Sequence, residues 1–321
     1  MDLLADAVIA RQGWFSRADA LAANLTDREL AIGVRQRRFV RLRHGAYCPT
    51  QTYERCTDAE RHLLLARAVV AAQRGRVALT GASAAALHGL AVWGQDLDTV
   101  SVVRLDAGTA RLQASCRHHV VGSAVEDDLE VRDGMLTTNL ARTVWEVART
   151  STLEAAVSTT DSALATDPRL AETLARMGSR FEHHPGSRTA RIALRMADGG
   201  SQSPGESITR VQCYRFGIPR PVLQHEVRDS NGKLLGVSDF WWPEYRHLGE
   251  FDGKVKYQQY LRAGESPADA VFREKRREDA MRALRCGMTR FTWADVMPDH
   301  ARSTMAKLWQ DLQQSRRLYA G

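Results

Sequence analysis

The tetrapeptide Ser230-Asn-Gly-Lys233 separates two runs of strand-type sequence, Val222 to Arg228 and Lys233 to Trp241. Asn-Gly at such a junction suits a tight turn with φ > 0 at both central residues, the strongest short-range signal for a β-hairpin. A second turn at Pro243-Glu-Tyr-Arg246 returns His247 to Asp252 as a third strand. Ser203 caps a helix from Glu206 to about Phe216, which Pro219 and Pro221 end before the strands begin. A charged helix, Asp269 to Arg285, and a short strand, Met288 to Thr292, complete the order helix, three-strand meander, helix, strand. The C-terminal third is thereby confined to an α/β layer structure.

Three acids, Asp239, Glu250 and Asp252, interrupt this apolar meander. Carboxylates are costly to bury unless they are paired or hold a cation. Alternate strand residues share a face, so Glu250 and Asp252 point together, Phe251 points to the opposite layer, and Lys254 and Lys256 continue the face past Gly253. Asp239 lies within cross-strand reach, and Glu206 can approach from the preceding helix. Acids converging on one point repel one another unless a cation neutralises them, and hard oxygen donors suit Mg2+ or Mn2+. Such a metal polarises a phosphoryl oxygen and acidifies a bound water, and a lysine can orient or deprotonate that water. The expected site is a metal centre of Glu206, Asp239 and Glu250, with Asp252, Lys254 and Lys256 as further catalytic groups. Singly, each acid has a plainer reading, because Asp252-Gly253 is a common turn dipeptide and Asp239 or Glu206 alone would be a cap or surface acid. Arg273-Glu-Lys-Arg-Arg-Glu-Asp279 reads alone as a solvated helix with internal ion pairs; beside the acids, its Lys275 and Arg276 could grip DNA phosphates. Trp241 and Trp242 read as core and rim residues rather than base-stacking platforms.

The stretch resembles the PD-(D/E)XK nuclease superfamily, specifically the endonuclease-like domains related to very-short-patch repair enzymes. The carrying residues are Ser203-Pro-Gly-Glu206-Ser, Val237-Ser-Asp239-Phe, Trp242-Pro-Glu244, Glu250-Phe-Asp252-Gly253, Phe272-Arg-Glu-Lys-Arg-Arg-Glu-Asp279 and Arg290-Phe-Thr292, within about residues 203 to 297. The resemblance implies a restriction-endonuclease-like αβββαβ core in a domain over 203–321. It also implies that Asp239 and Glu250 are the metal-binding acids and Glu206 the acid of the first helix. The chain departs from the pattern two residues after Glu250, where the superfamily's lysine is Asp252. Relatives with Asp there often carry a His four residues later, and this chain has Lys256. Lys254, Lys256 or Lys275 could supply the missing ammonium group. The departure bears on activity more than on fold.

At the other end, Leu3 to Arg11 reads as a short helix stopped at Gly13, and Ser16 caps a second one through Ala23. Thr26-Asp-Arg-Glu29 has capping-box spacing and opens a third helix to about Arg38, followed by a hairpin that turns at His44-Gly45. This is the element order of a winged helix. Arg28, Arg35, Arg37, Arg38, Arg41 and Arg43 gather on the third helix and the wing, opposed only by Glu29. A helix entering a DNA groove between phosphate-contacting arginines has this arrangement; the alternative is a small helical domain with a solvated basic face. Gly13-Trp-Phe-Ser-Arg-Ala-Asp-Ala-Leu and Arg43-His-Gly-Ala-Tyr47 resemble the N-terminal winged-helix domain of AbiEi-family antitoxins.

Between the two ends, a helix opens at the capping box Thr57-Asp-Ala-Glu60 and runs to about Gln73, strands follow at Val77–Thr80 and Val100–Val103, and Ser83 caps Ala84 to Leu90. Asp133-Gly134 marks a hairpin, and helices cover Asn139 to Arg149 and Glu154 to Ala165. His88 reads as a packed or surface residue, since no partner stands at a catalytic spacing. Neither His118-His119 nor His183-His184 makes a joint ligand pair, because strand neighbours face opposite ways. Thr80-Gly-Ala-Ser-Ala-Ala-Ala-Leu-His-Gly-Leu90 and Leu140-Ala-Arg-Thr-Val-Trp-Glu-Val-Ala148 extend the AbiEi resemblance over roughly 200 residues. The Gly/Ser/Pro-rich Ala197 to Gly205 marks a boundary. The expectation is an α/β multidomain protein with a winged helix over 1–56, an α+β middle domain over 57–198 and the nuclease-like domain.

A net charge of +7 permits a polyanionic partner. Five dispersed cysteines without Cys-x-x-Cys spacing argue against a zinc module or disulfide framework and fit a reducing cytosol. Neither a secretory signal segment nor a membrane-spanning apolar run is evident, so a cytoplasmic location is expected. DNA is the expected partner, and the antitoxin resemblance adds a homodimer and a cognate toxin protein. Two functions compete: a metal-dependent DNA endonuclease, and an antitoxin-like transcriptional regulator whose nuclease-like domain is inactive.

Overall fold

The computed structural model describes residues 12–73, 76–105, 111–113, 116–119, 126–253 and 284–320. The protein is a multidomain α/β chain, and its described residues form three separate sheets. It divides into two compact units, 1–152 with 172–191 and 153–171 with 192–321. Among the described residues no helix is long and apolar enough to cross a membrane.

The first unit opens with β1 (Phe15–Ser16), α1 (Arg17–Ala22), α2 (Asp27–Arg35), β2 (Phe39–Arg43) and β3 (Ala46–Pro49). Both helices start on reciprocal caps. Ser16 accepts from the Asp19 amide while the Asp19 carboxylate takes the Ser16 amide, and Thr26 and Glu29 do the same. Helix α2 stops at Arg35, three residues before the expected end. Arg37 turns left-handed (φ 55°) and the Arg38 amide bonds back to the Gly33 carbonyl at 2.8 Å. The strands pair in the order β1-β3-β2, and Phe15, Ala20, Leu30 and Phe39 fill the space beneath, with Phe15 edge-on to Phe39 at 5.2 Å. This is a winged-helix layout; the helix expected over Leu3 to Arg11 lies outside the described residues.

Next come α3 (Thr50–Arg55) and α4 (Asp58–Ala71), then β4 (Val77–Leu79), α5 (Gly81–Leu87), β5 (Val100–Arg104), β6 (Arg111–Gln113), β7 (Cys116–His119), β8 (Leu129–Arg132), β9 (Met135–Thr138) and α6 (Leu140–Thr150). The strands form one mixed sheet in the order β6-β7-β5-β4-β9-β8. Asp133 (φ 48°) and Gly134 (φ 74°) make the expected β8–β9 turn. Ser83 does not cap α5. The helix begins two residues earlier, and the Ser83 hydroxyl accepts from the Ser101 amide at 2.8 Å and meets His62 Nε2 at 2.8 Å. His88 is packed, its Nε2 on the Thr138 carbonyl at 2.9 Å.

The second unit contains α7 (Leu153–Thr166), while α8 (Leu170–Arg180) and α9 (Ser187–Met196) straddle the division. It continues with α10 (Pro204–Arg215), β10 (Val222–Arg228), β11 (Leu234–Trp242), β12 (His247–Asp252), β13 (Gly287–Thr292), α11 (Trp293–Val296) and α12 (Pro298–Tyr319). Strands β10 to β12 form an antiparallel meander and β13 adds parallel to β12. One sheet face carries Phe240, Trp242, Phe251 and Phe291. The first turn of α10 rests on it, since a Cβ at Gly205 would run into the Phe251 ring. The helix expected from Asp269 lies outside the described residues apart from its last two, Leu284 and Arg285, which form a turn. Helix α7, expected in a middle domain, packs against α10, and the stretch expected as a linker joins them through Asp161. The Asp161 carboxylate takes the Asp198 amide, the Ser207 hydroxyl and the Arg210 guanidinium, each at 2.7 Å.

Helix α12 is fixed to the same face by His247, whose Nδ1 meets Ser315 Oγ at 2.8 Å and whose Nε2 meets Thr289 Oγ1 at 2.8 Å. The ring is 2% exposed, and burial lowers its pKa from 6.5 to about 4. An unfolded chain protonates this histidine before the folded one does, so its contribution is complete above pH 6.5 and is lost as pH falls toward 4. The loss amounts to about 3 kcal/mol. His247→Gln, which carries no charge at any pH, should flatten the fall of the urea midpoint between about pH 7 and pH 4.5 relative to the parent. Parallel profiles would contradict this.

Candidate active site

Pairing of β11 with β12 runs from Trp242↔His247 to Phe240↔Gly249 and stops there. The next step of that register sets Asp239 level with Glu250. In place of a ladder bond, Asp239 Oδ2 accepts the Phe251 amide at 2.8 Å, so the carboxylate reaches across to β12. Asp239 is half-buried and Glu250 only 8% exposed. In the parallel register Glu250 stands opposite Arg290, whose guanidinium donates to Glu250 Oε2 at 3.3 Å. Asp252 lies two residues beyond, half-buried and level with Thr292. Extending the register by one step would bring these two acids to the same level, and one of them is ion-paired.

Glu206 does not join them. It is fully buried at the third position of α10, where Oε1 accepts the Ser203 hydroxyl at 2.7 Å and Oε2 accepts the Gln202 amide at 2.9 Å and Gln224 Nε2 at 3.1 Å. These uncharged donors engage both oxygens, one set as part of the helix cap and one from Gln224. The expected convergence of three acids reduces to a pair, and among the described residues no group of three His, Cys, Asp or Glu is placed to hold a metal ion. A pair still meets the ordinary need of Mg2+, which binds proteins through one or two carboxylates and completes its shell with water and substrate phosphate. Asp239 and Glu250 fit such an ion in number and hardness. Lys254, Lys256, Lys275 and Arg276 lie outside the described residues, so the expected ammonium group has no position here.

On the winged helix, Arg28, Arg35, Arg37, Arg38 and Arg41 are exposed, and none of them forms a salt bridge among the described residues. The nearest acids are occupied, Asp27 by both arms of Arg17 at 2.6 and 2.7 Å and Glu29 by the Thr26 cap. Arg28 and Arg35 are seven residues apart and share one face of α2. Arg43 departs from the set: it is half-buried and its guanidinium points to the Ala68 carbonyl at 3.4 Å.

Sequence reading missed Gln224 and Arg290 as neighbours of the acids. Gln224 reaches Glu206 because its own backbone is left-handed (φ 48°), which no local residue pattern announces. Arg290 is brought to Glu250 by a parallel pairing across 40 residues of sequence.

No family model matches the chain. It is similar to two proteins of Mycobacterium tuberculosis, uncharacterized protein Rv2248 of strain H37Rv and uncharacterized protein MT2308 of strain CDC 1551. Each is 28% identical over 233 residues, a stretch that covers 71% of this chain and 79% of the relative.

Proposed function

We propose that this chain is a DNA-binding protein whose C-terminal unit hydrolyses DNA phosphodiester bonds with a divalent cation, Mg2+ or Mn2+, at Asp239 and Glu250. The observation that supports the reading is the reach of the Asp239 carboxylate to the Phe251 amide, next in sequence to Glu250, where β11 and β12 cease to pair. A bound Mg2+ or Mn2+ would polarise a phosphoryl oxygen and acidify a water. Arg290 adds a positive charge beside the pair, and since a guanidinium stays protonated it can steady an anionic phosphate but cannot serve as a base. Supercoiled plasmid incubated with the full chain should be nicked in Mg2+ or Mn2+ and left intact in EDTA.

A second reading has observations of its own. Glu206 is consumed as a cap, Glu250 is held by Arg290, and Asp252 stands at the resemblance's lysine position. These favour an antitoxin-like transcriptional regulator with a catalytically inactive nuclease-like domain, for which a toxin protein and a second copy of the chain are the partners to look for. Plasmid that stays intact in both metals, while the chain still shifts a DNA duplex, would decide for it.

Both readings use the basic winged helix. Replacing Arg35 and Arg38 together should weaken duplex binding and lower the slope of log K against log salt by about two, roughly one for each phosphate that is no longer neutralised. A salt titration with an unchanged slope would remove these arginines from the interface.

A further inference from the structure

The second unit holds a cleft of about 230 Å3 walled by His225, Val227, Trp241 and Leu248, with Arg228 and Arg246 among its lining residues. Trp241 and Leu248 are direct cross-strand partners. Two residues further along the same strands, on the same face, stand Asp239 and Glu250. At about 3.4 Å per residue the cleft and the acids are one step of roughly 7 Å apart. The two tryptophans of this strand have different roles. Trp242 is core, its indole N–H bonded to the Pro219 carbonyl at 2.7 Å, whereas Trp241 stays half-buried on the opposite face. The His225 ring lies parallel to the Trp241 ring, with centroids 4.9 Å apart and 8° between planes.

We propose that this cleft receives one unstacked nucleobase of the DNA strand whose phosphate lies at Asp239 and Glu250. The inference rests on the phosphodiesterase reading and adds to it the state of the substrate, a strand with at least one base out of its stack. Parallel aromatic rings beside aliphatic walls suit a planar heterocycle, and stacking of this kind tolerates any base because each has a π-face. Charge supports an anionic over a neutral ligand, and the parallel His225 and Trp241 rings favour a nucleobase over the side chains of an acidic peptide. Among the described residues no carboxylate lines the cleft, and its two charged groups are arginines anchored on carbonyls, Arg228 on Gly232 at 2.9 Å and Arg246 on Leu284 at 3.3 Å. Arg228 is also paired with Glu226 at 2.7 Å, so Arg246 is the stronger candidate for a flanking phosphate.

The test uses the full chain and a single-stranded oligodeoxynucleotide carrying 5-iodouracil, in EDTA so that no cleavage intervenes. Irradiation should crosslink the oligonucleotide to Trp241 or His225, located by peptide mass spectrometry. Trp241→Ala should weaken single-strand affinity about tenfold or more, and Trp241→Phe should restore most of it. His225→Ala, a smaller truncation, guards against misfolding of the tryptophan variant, and both are to be compared at equal thermal stability. Crosslinks confined to other residues, or parental affinity in both alanine variants, overturn the proposal. Plasmid nicking measured alongside separates the two readings. Nicking with unaltered variant affinities overturns the base cleft alone, whereas a Trp241 crosslink without nicking keeps the cleft and rejects the hydrolase.

Discussion

Asp239→Asn is expected to lower Mg2+-dependent DNA cleavage about 100-fold or more with little change in melting temperature. The substitution removes a charge and keeps an oxygen, so the Phe251 amide, 2.8 Å from Asp239 Oδ2, retains an acceptor and the end of the β11–β12 ladder stays closed. A bound cation, by contrast, loses one of two anionic ligands. Metal stabilisation of transition-state charge is worth several kcal/mol, and about 3 kcal/mol is a hundredfold in rate. Glu250→Gln should act in the same direction but with a stability change within about 1 kcal/mol, because it also breaks a partly exposed pair with Arg290. Initial rates on supercoiled plasmid, with melting curves of the same preparations, decide the matter. Parental rates in both variants would mean that the pair is a structural feature of the sheet.

What could be read from the sequence was what local chemistry sets. The caps at Ser16, Thr26, Thr57 and Ser203 each satisfy a nearby amide within three residues, so spacing alone discloses them. The turn at Asp133-Gly134 has positive φ at both residues, whereas in the Ser230 to Lys233 turn only Gly232 adopts it and the hairpin closes through residues 229–233, with the Asp229 amide on the Lys233 carbonyl at 3.0 Å. The antiparallel meander of β10, β11 and β12 was also legible, because a short hairpin fixes its own register. Other features escaped for a common reason: they depend on partners that only the fold supplies. Glu206 has the spacing of a cap and the chemistry of a ligand, and Gln224 from a later strand settles the choice. Arg43 looks like its neighbours in sequence, yet the Ala68 carbonyl of α4 turns it away from the basic face. Ser83 would suit a cap, but His62 and the Ser101 amide claim it, and the helix starts before it.

The same dependence on distant partners applies to Arg210 of the second unit. Arg210 and Asp161 are 3% and 1% exposed and meet at 2.7 Å. Arg210 also bonds Ser201 Oγ at 3.2 Å and the Met196 carbonyl, so one guanidinium joins α7, the end of α9 and the segment leading into α10. Burial pushes the Asp161 carboxyl above its ordinary value, and Arg210, the Asp198 amide and Ser207 oppose that push. Arg210→Met keeps much of the volume and leaves a buried acid whose charge lacks its counterion, a defect that costs about 3–5 kcal/mol. Chemical denaturation at neutral pH should show a loss of that size. The penalty has a predictable dependence on pH. With Arg210 gone the folded-state pKa of Asp161 rises further above its unfolded value, so the variant is penalised while that carboxyl must ionise and recovers as acid protonates it. The gap between parent and variant should therefore narrow from about pH 7 toward pH 5. Asp161→Asn in the Arg210→Met background removes the charge outright and should restore part of the loss at neutral pH, while making the remaining gap independent of pH. A single variant within about 1 kcal/mol of the parent, or a gap that widens in acid, would show that Asp161 does not need Arg210 and that the helices are held together by their apolar contacts alone.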